Sequence, residues 1–131
     1  MDRVVFSSVN MRWQTPKEIY NKLNKEFCFT TDPCPPNPTF DGLAVDWGNS
    51  NFVNPPFGRE IGKWIKKGYK ESHKNKTVVF LIPARTDTKW WHEYIMKATE
   101  IRFIKGRLRF GGAKHNAPFP SCIVIFTHTR N

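Results

Sequence analysis

The chain has 131 residues, the length of one ordinary globular domain, and 15% of them are aromatic, which is enough for a substantial core. The mean hydropathy of −0.56 and the lack of any apolar run near the ~18 residues of a membrane span predict a soluble protein without a membrane partner. A net charge of +10 predicts a polyanionic partner, with nucleic acid as the first choice.

The cysteine and histidine pattern predicts neither a disulfide framework nor a metal site. Cys28, Cys34 and Cys122 are odd in number and form no C-x-x-C pair, and the histidines show no ligand spacing. We therefore expect free thiols in a reducing compartment and no metal. Residues 1–13 carry no signal-peptide apolar region, so we expect a flexible arm and a cytoplasmic protein.

The first predicted elements are a helix and a strand. Thr15 is a good N-cap, Pro16 suits the first helical position, and Glu18 closes a capping box. Residues 27–31 are aromatic and β-branched, which predicts a strand. Four prolines among the six residues 33–38 end it.

The rest of the chain alternates strands with helices until its last two strands. We expect a strand at 51–53, a helix at 60–72, a buried strand at 77–82, a helix capped by Asp87, and strands at 101–110 and 121–127. This order predicts an α/β fold, with a mainly parallel sheet and a C-terminal antiparallel hairpin at one edge. The polar strand ends at 32–33, 54–57 and 83–85 should then meet at the carboxyl edge, where such sheets bind ligands.

The segment Asn54-Pro55-Pro56-Phe57 is the most informative of these strand ends. The two prolines fix the backbone and remove two donors, which leaves the Asn54 amide, the carbonyls of Asn54 and Pro55, and the Phe57 ring exposed. Such a loop is suited to accept hydrogen bonds from an amino group on a flat ring and to stack on that ring. An ordinary proline-rich turn is the alternative, but the strand before the loop and the helix after it favour the binding role.

Seven short motifs occur in a recognisable order. They are Thr15-Pro16, Asp32-Pro33-Cys34, Asp41-Gly42-Leu43, Asn54-Pro55-Pro56-Phe57, Leu81-Ile82-Pro83, Thr86-Asp87-Thr88 with Trp90-Trp91, and Gly106-Arg107-Leu108-Arg109-Phe110. In this order, between about Trp13 and Phe126, the chain resembles the phage-type DNA N6-adenine methyltransferases of the class I S-adenosylmethionine-dependent superfamily. The resemblance implies a reduced Rossmann-like fold, a single methyltransferase domain over 1–131, and a bacterial or phage-infected cell. We expect no separate target-recognition domain, because 131 residues leave no room for one.

The resemblance also implies the site residues. The catalytic loop would be Asn54, Pro55, Pro56 and Phe57, and the contacts to S-adenosylmethionine would be Thr15 and Pro16 at its methionine end, Asp32 and Pro33 at its amino group, and Asp41 at its adenine. Asp46 is the alternative to Asp41, and a helix cap is the alternative explanation of Thr15 and Pro16. The family's glycine-rich turn is replaced here by residues 35–38, which predicts a shallow or open cofactor pocket.

The expected chemistry is methyl transfer to the N6 atom of adenine in DNA. Two oxygens, on the Asn54 side chain and the Pro55 backbone, would accept the two N6 hydrogens and leave the nitrogen lone pair as the free direction. The base must be flipped out of the duplex, and Phe57 is its predicted stacking partner. Phe110 is a second candidate, with a core or edge-strand position as its alternative.

The predicted DNA contacts are basic side chains on the next-to-last strand and in the loop after it. They are Lys105, Arg107 and Arg109, which alternate with apolar residues, followed by Lys114 and His115. The lysine face of the helix at 60–72 is the other candidate, or is simply solvated. We expect short or relaxed sequence specificity, read by residues 106–119, and a possible homodimer.

Two other functions stay open at the level of the sequence. One is methylation of a different amide or amino target, an RNA adenine or a protein glutamine. The other is a catalytically impaired, DNA-binding relative, which the missing glycine-rich turn favours. Retention of Asn54 with both prolines speaks against that second reading.

Overall fold

The computed structural model describes residues 14–36, 38–111 and 115–127 of the chain. The predicted arm and Lys114 lie outside these ranges. The helices are α1 (Lys17–Phe27), α2 (Ile61–Ser72) and α3 (Lys89–Glu93), with a 3-10 turn at Ile95–Lys97, and the strands are β1 (Ser50–Val53), β2 (Thr77–Pro83), β3 (Glu100–Phe103) and β4 (Ser121–Phe126). No described helix is long and apolar enough to cross a membrane.

The strands form one sheet in the order β1-β2-β4-β3. The first pair is parallel, with Phe52 opposite Val79, whereas β4 runs antiparallel to both β2 and β3. The prediction of a mainly parallel sheet is therefore wrong, because β4 enters between β2 and β3 instead of adding at an edge. The α/β class and the antiparallel pairing of the last two strands are confirmed, and the larger Rossmann-like fold stays a prediction.

Apolar side chains on both faces of the sheet explain its three-layer packing. Helices α2 and α3 cover one face, where Ile65 and Trp91 pack on Phe80. Helix α1 covers the other face, where Leu23 packs with residues of β1 and β2. The strands β1 and β4 are buried at every position, as expected for strands that are covered on both faces.

Two predicted helix caps are wrong by one residue each. Helix α1 begins after Pro16, whose carbonyl accepts the first helical bond from Tyr20 at 3.1 Å, and no side chain caps it. The Thr15 hydroxyl instead accepts a hydrogen bond from the Asn54 side chain. Helix α3 is capped not by Asp87 but by Thr88, whose hydroxyl accepts from the Trp91 backbone at 3.3 Å.

Two predicted strands are shorter than the sequence pattern indicated. Helix α1 continues to Phe27 and ends at Cys28 with φ of 51°, so only Thr31 remains to form a parallel bridge with Asn51. The strand expected at 101–110 ends at Phe103, and the chain turns at Gly106 with φ of 79°, a conformation that favours glycine. The three cysteines form no disulfide with one another.

A buried acid joins α2 to the loop before β1. Glu71 is 1% exposed, and its carboxylate accepts from the Trp47 backbone at 3.1 Å and lies 2.6 to 3.1 Å from Lys67, Lys74 and Lys76. Burial alone would raise the pKa of Glu71, but the three lysines and the Trp47 N–H lower it to about 2. Glu71 therefore holds the backbone at Trp47, at the end of this loop, against the amino edge of the sheet.

The depressed pKa predicts an acid-sensitive contribution of Glu71 to stability. Since the pKa is about 2 in the folded state against 4.5 as its ordinary value, the contribution is present above pH 4.5 and lost as the pH falls toward 2. Glu71→Gln should lower the free energy of unfolding by about 3 kcal/mol at neutral pH. Denaturant titrations at several pH values should show the variant and wild-type stabilities converging in that acid window.

The matched control is Glu60→Gln, which removes an exposed carboxylate 3.3 Å from Lys63 on the same helix. Exposed pairs contribute under about 1 kcal/mol, so this variant should unfold almost like wild type. A gap between wild type and Glu71→Gln that stays constant down to pH 2 would contradict the assignment.

Candidate active site

The topology brings several polar segments to the carboxyl edge of the sheet. Strands β1 and β2 end there and continue into residues 54–57 and 84–85, and the parallel bridge at Thr31 brings in residues 32–36. Strand β4 is antiparallel to both β2 and β3, so β3 ends and β4 begins at this same edge. The connection from β3 to β4 therefore also lies there. The predicted meeting of the strand ends is therefore seen in the described part of the chain.

A cavity of about 330 Å³ opens between α1 and the end of β1. This volume lies at the lower end of the range for small-molecule sites, which is about 300–1,000 Å³. The cavity is lined by Gln14, Thr15, Lys17, Tyr20, Asn21, Asp32, Cys34, Pro36, Phe52 and Asn54. Three residues predicted from separate motifs, Thr15, Asp32 and Asn54, thus share one cavity wall.

Asn54 is held at this wall by a hydrogen bond to the segment before α1. Its Nδ2 atom donates to the Thr15 hydroxyl at 3.0 Å. Pro55 and Pro56 are buried behind it, whereas Asn54 itself is half-buried. Since the amide nitrogen is directed at Thr15, the orientation of the amide group, and with it the position of the side-chain oxygen, is set by this contact.

Asp32 is placed by a local turn. Its Oδ1 atom accepts from the backbone N–H of Cys34 at 3.0 Å, a side-chain turn typical of Asp. Pro33 and Cys34 are buried while Asp32 is exposed toward the cavity that it lines. The arrangement presents a carboxylate to a ligand, which suits an ammonium group.

The acidic residues proposed for the cofactor adenine lie in different places. Asp41 is exposed, does not line the cavity and accepts from the Leu43 backbone at 2.9 Å. The next residue, Gly42, packs so closely on Pro33 that an added Cβ would lie 2.0 Å from the Pro33 carbonyl oxygen. Asp46 pairs instead with Lys74 at 3.4 Å, at the opposite edge of the sheet. Asp41 thus adjoins the residue that packs on Pro33, and its contact with a cofactor stays a prediction.

Phe57 belongs to an aromatic cluster beside the cavity. Its ring meets Phe110 at 5.6 Å and Phe119 at 5.5 Å, both edge to face. Phe57 is half-buried, while Phe110 is 1% exposed. Phe110 therefore occupies the core position that the sequence left as an alternative, and it supports the ring of Phe57.

The predicted basic residues differ in their surroundings. Lys105, Arg107 and Arg109 are exposed at the carboxyl edge, but they follow β3 instead of alternating along it, so the predicted basic strand face is wrong. On and just after α2, Lys67 and Lys74 pair with Glu71 and Lys63 pairs with Glu60, and the role of that lysine face in DNA binding stays a prediction.

Several residues of the site were missed by sequence reasoning. Tyr20 belongs to no predicted site motif, yet it lines the cavity together with Asn21 and contacts the Phe52 ring edge-on at 5.2 Å. No local signal identifies such residues, because they face the cavity only through the packing of α1 on the sheet. Arg85 was recognised only as part of a strand end.

A second concavity, of about 320 Å³, lies between α2 and α3. It is lined by Gly62, Lys63, Lys66, Lys89, Trp90, Glu93 and Tyr94. None of the predicted catalytic or cofactor-binding residues belongs to it, so the cavity beside Asn54 is the better candidate for the active site. Among the described residues, no three His, Cys, Asp or Glu side chains are grouped so that they could hold a metal ion.

Comparison with known proteins identifies a matching family. The model of the family described as DNA N-6-adenine-methyltransferase (Dam) matches residues 5–129, which is nearly the whole chain. No curated protein gives a significant match.

The close contact at Gly42 yields a test of how the Asp32 turn is supported. Gly42→Ala should lower the free energy of unfolding by about 1–3 kcal/mol, because the new methyl group would overlap the Pro33 carbonyl and the Trp64 ring. Gly62→Ala is the matched control, since its Cβ would meet Trp90 at an ordinary 3.6 Å. Denaturant unfolding of both variants checks this, and wild-type stability for Gly42→Ala would contradict it.

Proposed function

The chain belongs to the DNA N-6-adenine-methyltransferase (Dam) family, and we propose that it transfers a methyl group from S-adenosylmethionine to the N6 atom of an adenine flipped out of DNA. The observation that carries the proposal is the placement of Asn54 on the same cavity wall as Thr15 and Asp32. This placement puts the predicted acceptor for the amino group beside the predicted cofactor contacts.

The cavity has the groups that S-adenosylmethionine requires. The Asp32 carboxylate would hold the amino group of the cofactor, and Tyr20 and Phe52 offer aromatic surface to its adenine. Asp41, one residue from the Gly42 contact with Pro33, would reach the adenine from the rim. When bound, the cofactor supplies a methyl group on a sulfonium, which is electrophilic and carries its own leaving group.

Asn54 and Pro55 would orient the amino group that receives the methyl. Adenine N6 is a poor nucleophile because its lone pair is delocalised into the ring. The Asn54 Oδ1 atom and the Pro55 carbonyl would each accept a hydrogen bond from one N6–H, which would direct the lone pair at the methyl group. As the N–C bond forms and the C–S bond breaks, the thioether leaves and one N6 proton passes to solvent. The nitrogen becomes more positive as it reacts, so both oxygens stabilise the transition state more than the ground state. Burial of both prolines limits reorganisation of the loop.

The target adenine must leave the duplex to reach this position. Extrusion of a base costs a few kcal/mol of lost stacking and pairing. Stacking of the base on Phe57 would offset part of this cost. The T-shaped contacts of Phe57 with Phe110 and Phe119 hold its ring in place. Lys105, Arg107, Arg109 and Lys114 would contact phosphates, which contributes affinity without sequence information.

Sequence specificity is proposed to be short or relaxed, and read by residues 106–119. The described part of this segment lies at the carboxyl edge, and Leu108 accepts a hydrogen bond from the Ala117 backbone at 2.6 Å. The family match favours adenine in DNA over an RNA adenine or a protein glutamine. A homodimer stays a prediction.

The test of the proposed function is a transfer assay with three polymers. The protein is incubated with S-adenosylmethionine carrying a deuterated methyl group and with DNA, RNA or protein, and each polymer is digested and analysed by mass spectrometry. Labelled N6-methyladenine from DNA is expected. Label only in RNA or in protein, or cofactor binding without transfer, would contradict the proposal.

Removal of the Asn54 side chain should abolish methyl transfer. Asn54→Ala removes one of the two proposed acceptors, and loss of such a group lowers kcat by about 100-fold or more. Binding of DNA by this variant, measured by gel shift, should stay nearly unchanged. Asn49→Ala, an exposed asparagine before β1 at the opposite edge, is the control and should keep full activity. Loss of DNA retention together with transfer would indicate that the loop is structural.

Thr15 should act through Asn54. Thr15→Val removes the hydroxyl that accepts from Asn54 but keeps the shape, so kcat should fall about tenfold, the equivalent of one ordinary hydrogen bond. The KM for S-adenosylmethionine should change little, and Thr15→Ser should restore kcat. A raised KM with unchanged kcat would show that Thr15 contributes cofactor binding alone.

A further inference from the structure

Arg85 carries an exposed guanidinium at the carboxyl edge of the sheet. Its Cζ atom lies over the Phe119 ring, 5.7 Å from the centroid. Within the described residues no carboxylate pairs with it, whereas Arg102 is bound by both Glu26 and Glu100. The interaction with a ring leaves the charge available to an external anion.

The backbone that carries Arg85 is fixed on both sides. The Arg85 carbonyl accepts from the Thr88 backbone at 3.2 Å and from the Thr88 hydroxyl at 2.8 Å. The preceding residue, Ala84, donates to the Pro120 carbonyl at 2.9 Å. These bonds tie the start of α3 and the start of β4 to the same point, so that little backbone freedom would be lost on binding.

The position of Arg85 relates it directly to the catalytic loop. Phe119, the ring under its guanidinium, stands edge to face with Phe57 at 5.5 Å and 88°. A single aromatic ring therefore separates the cation from the side chain on which the flipped adenine is proposed to stack. Arg85 is exposed, so its guanidinium is open to a phosphodiester group of a nucleotide stacked on Phe57.

We propose that Arg85 binds a DNA phosphate next to the flipped adenine and so holds the strand in its extruded conformation. The proposal rests on the proposed function, since it takes DNA as the substrate. A guanidinium presents paired donors that match phosphate oxygens, and a contact there would help to offset the free energy of extrusion. Because a phosphate contact carries no sequence information, Arg85 acts on every DNA site alike.

The matched variants for the test are Arg85→Gln and Lys97→Gln. Lys97 also lies over an aromatic ring, Tyr69 at 5.5 Å, but it precedes β3 and so lies at the opposite edge. The dissociation constant for a DNA duplex is measured over a series of salt concentrations. Loss of one phosphate contact should reduce the slope of log K against log salt by about one for Arg85→Gln and leave it unchanged for Lys97→Gln. A wild-type slope for Arg85→Gln would overturn the proposal.

A chemical substitution in the DNA locates the contact. In a duplex with one methylated adenine, identified from the wild-type product, each phosphate beside that adenine is replaced in turn by a neutral methylphosphonate. Wild type should lose affinity several-fold at one of these positions and Arg85→Gln should lose none, whereas Arg85→Lys should keep most of the salt slope. Equal losses for wild type and Arg85→Gln at every position would overturn the contact.

The two proposals fail in different ways. If the wild-type protein binds DNA with the expected Arg85-dependent slope but leaves adenine unmethylated, the proposed reaction is wrong and the phosphate contact stands. In that case the methylphosphonate scan is run along the whole duplex. If adenine is methylated but Arg85→Gln changes neither the salt slope of DNA binding nor the effect of the methylphosphonates, the phosphate contact alone is wrong.

Discussion

The hydrogen bond from the Asn54 amide to the Thr15 hydroxyl is the contact on which the proposed site depends. It joins the loop after β1 to the segment before α1 and thereby forms one wall of the cavity. Asn54 reaches this position because β1 pairs in parallel with the buried strand β2. The two prolines behind it, both buried, stiffen the loop, so the amide meets its partner without a search of conformations.

A second series of contacts runs from the far edge of the sheet to the same cavity. Glu71 binds the backbone of Trp47, whose indole donates to the Gly42 carbonyl at 2.8 Å, and Gly42 packs against Pro33 beside Asp32. The same carboxylate engages three lysines. Part of the net charge of +10 thus stabilises the fold, and the DNA-binding charge is expected at the carboxyl edge.

Local sequence patterns predicted individual helices and strands. The sheet order and the contacts of the site depend on long-range pairing, which such patterns do not contain. The run 77–82 and the amphipathic helix at 60–72 were predicted because their periodicity follows from burial alone. The sheet order was not predicted, since nothing in residues 121–127 indicates that β4 pairs with β2 as well as with β3. Thr15 was predicted as a cap because Thr-Pro-x-Glu is a helix-start pattern, whereas its hydroxyl contacts Asn54, 39 residues away. Motif order grouped Thr15, Asp32 and Asn54, but only packing revealed Tyr20 beside them.

We propose above all that the cavity beside Asn54 holds the methyl donor with its reactive end at the Asn54 amide. A crystal structure with S-adenosylhomocysteine, the product form of the donor, tests this most directly. We predict the amino group of the ligand on Asp32 and its sulfur atom directed toward Asn54. A ligand bound in the groove between α2 and α3, or one whose sulfur points away from Asn54, would contradict the account.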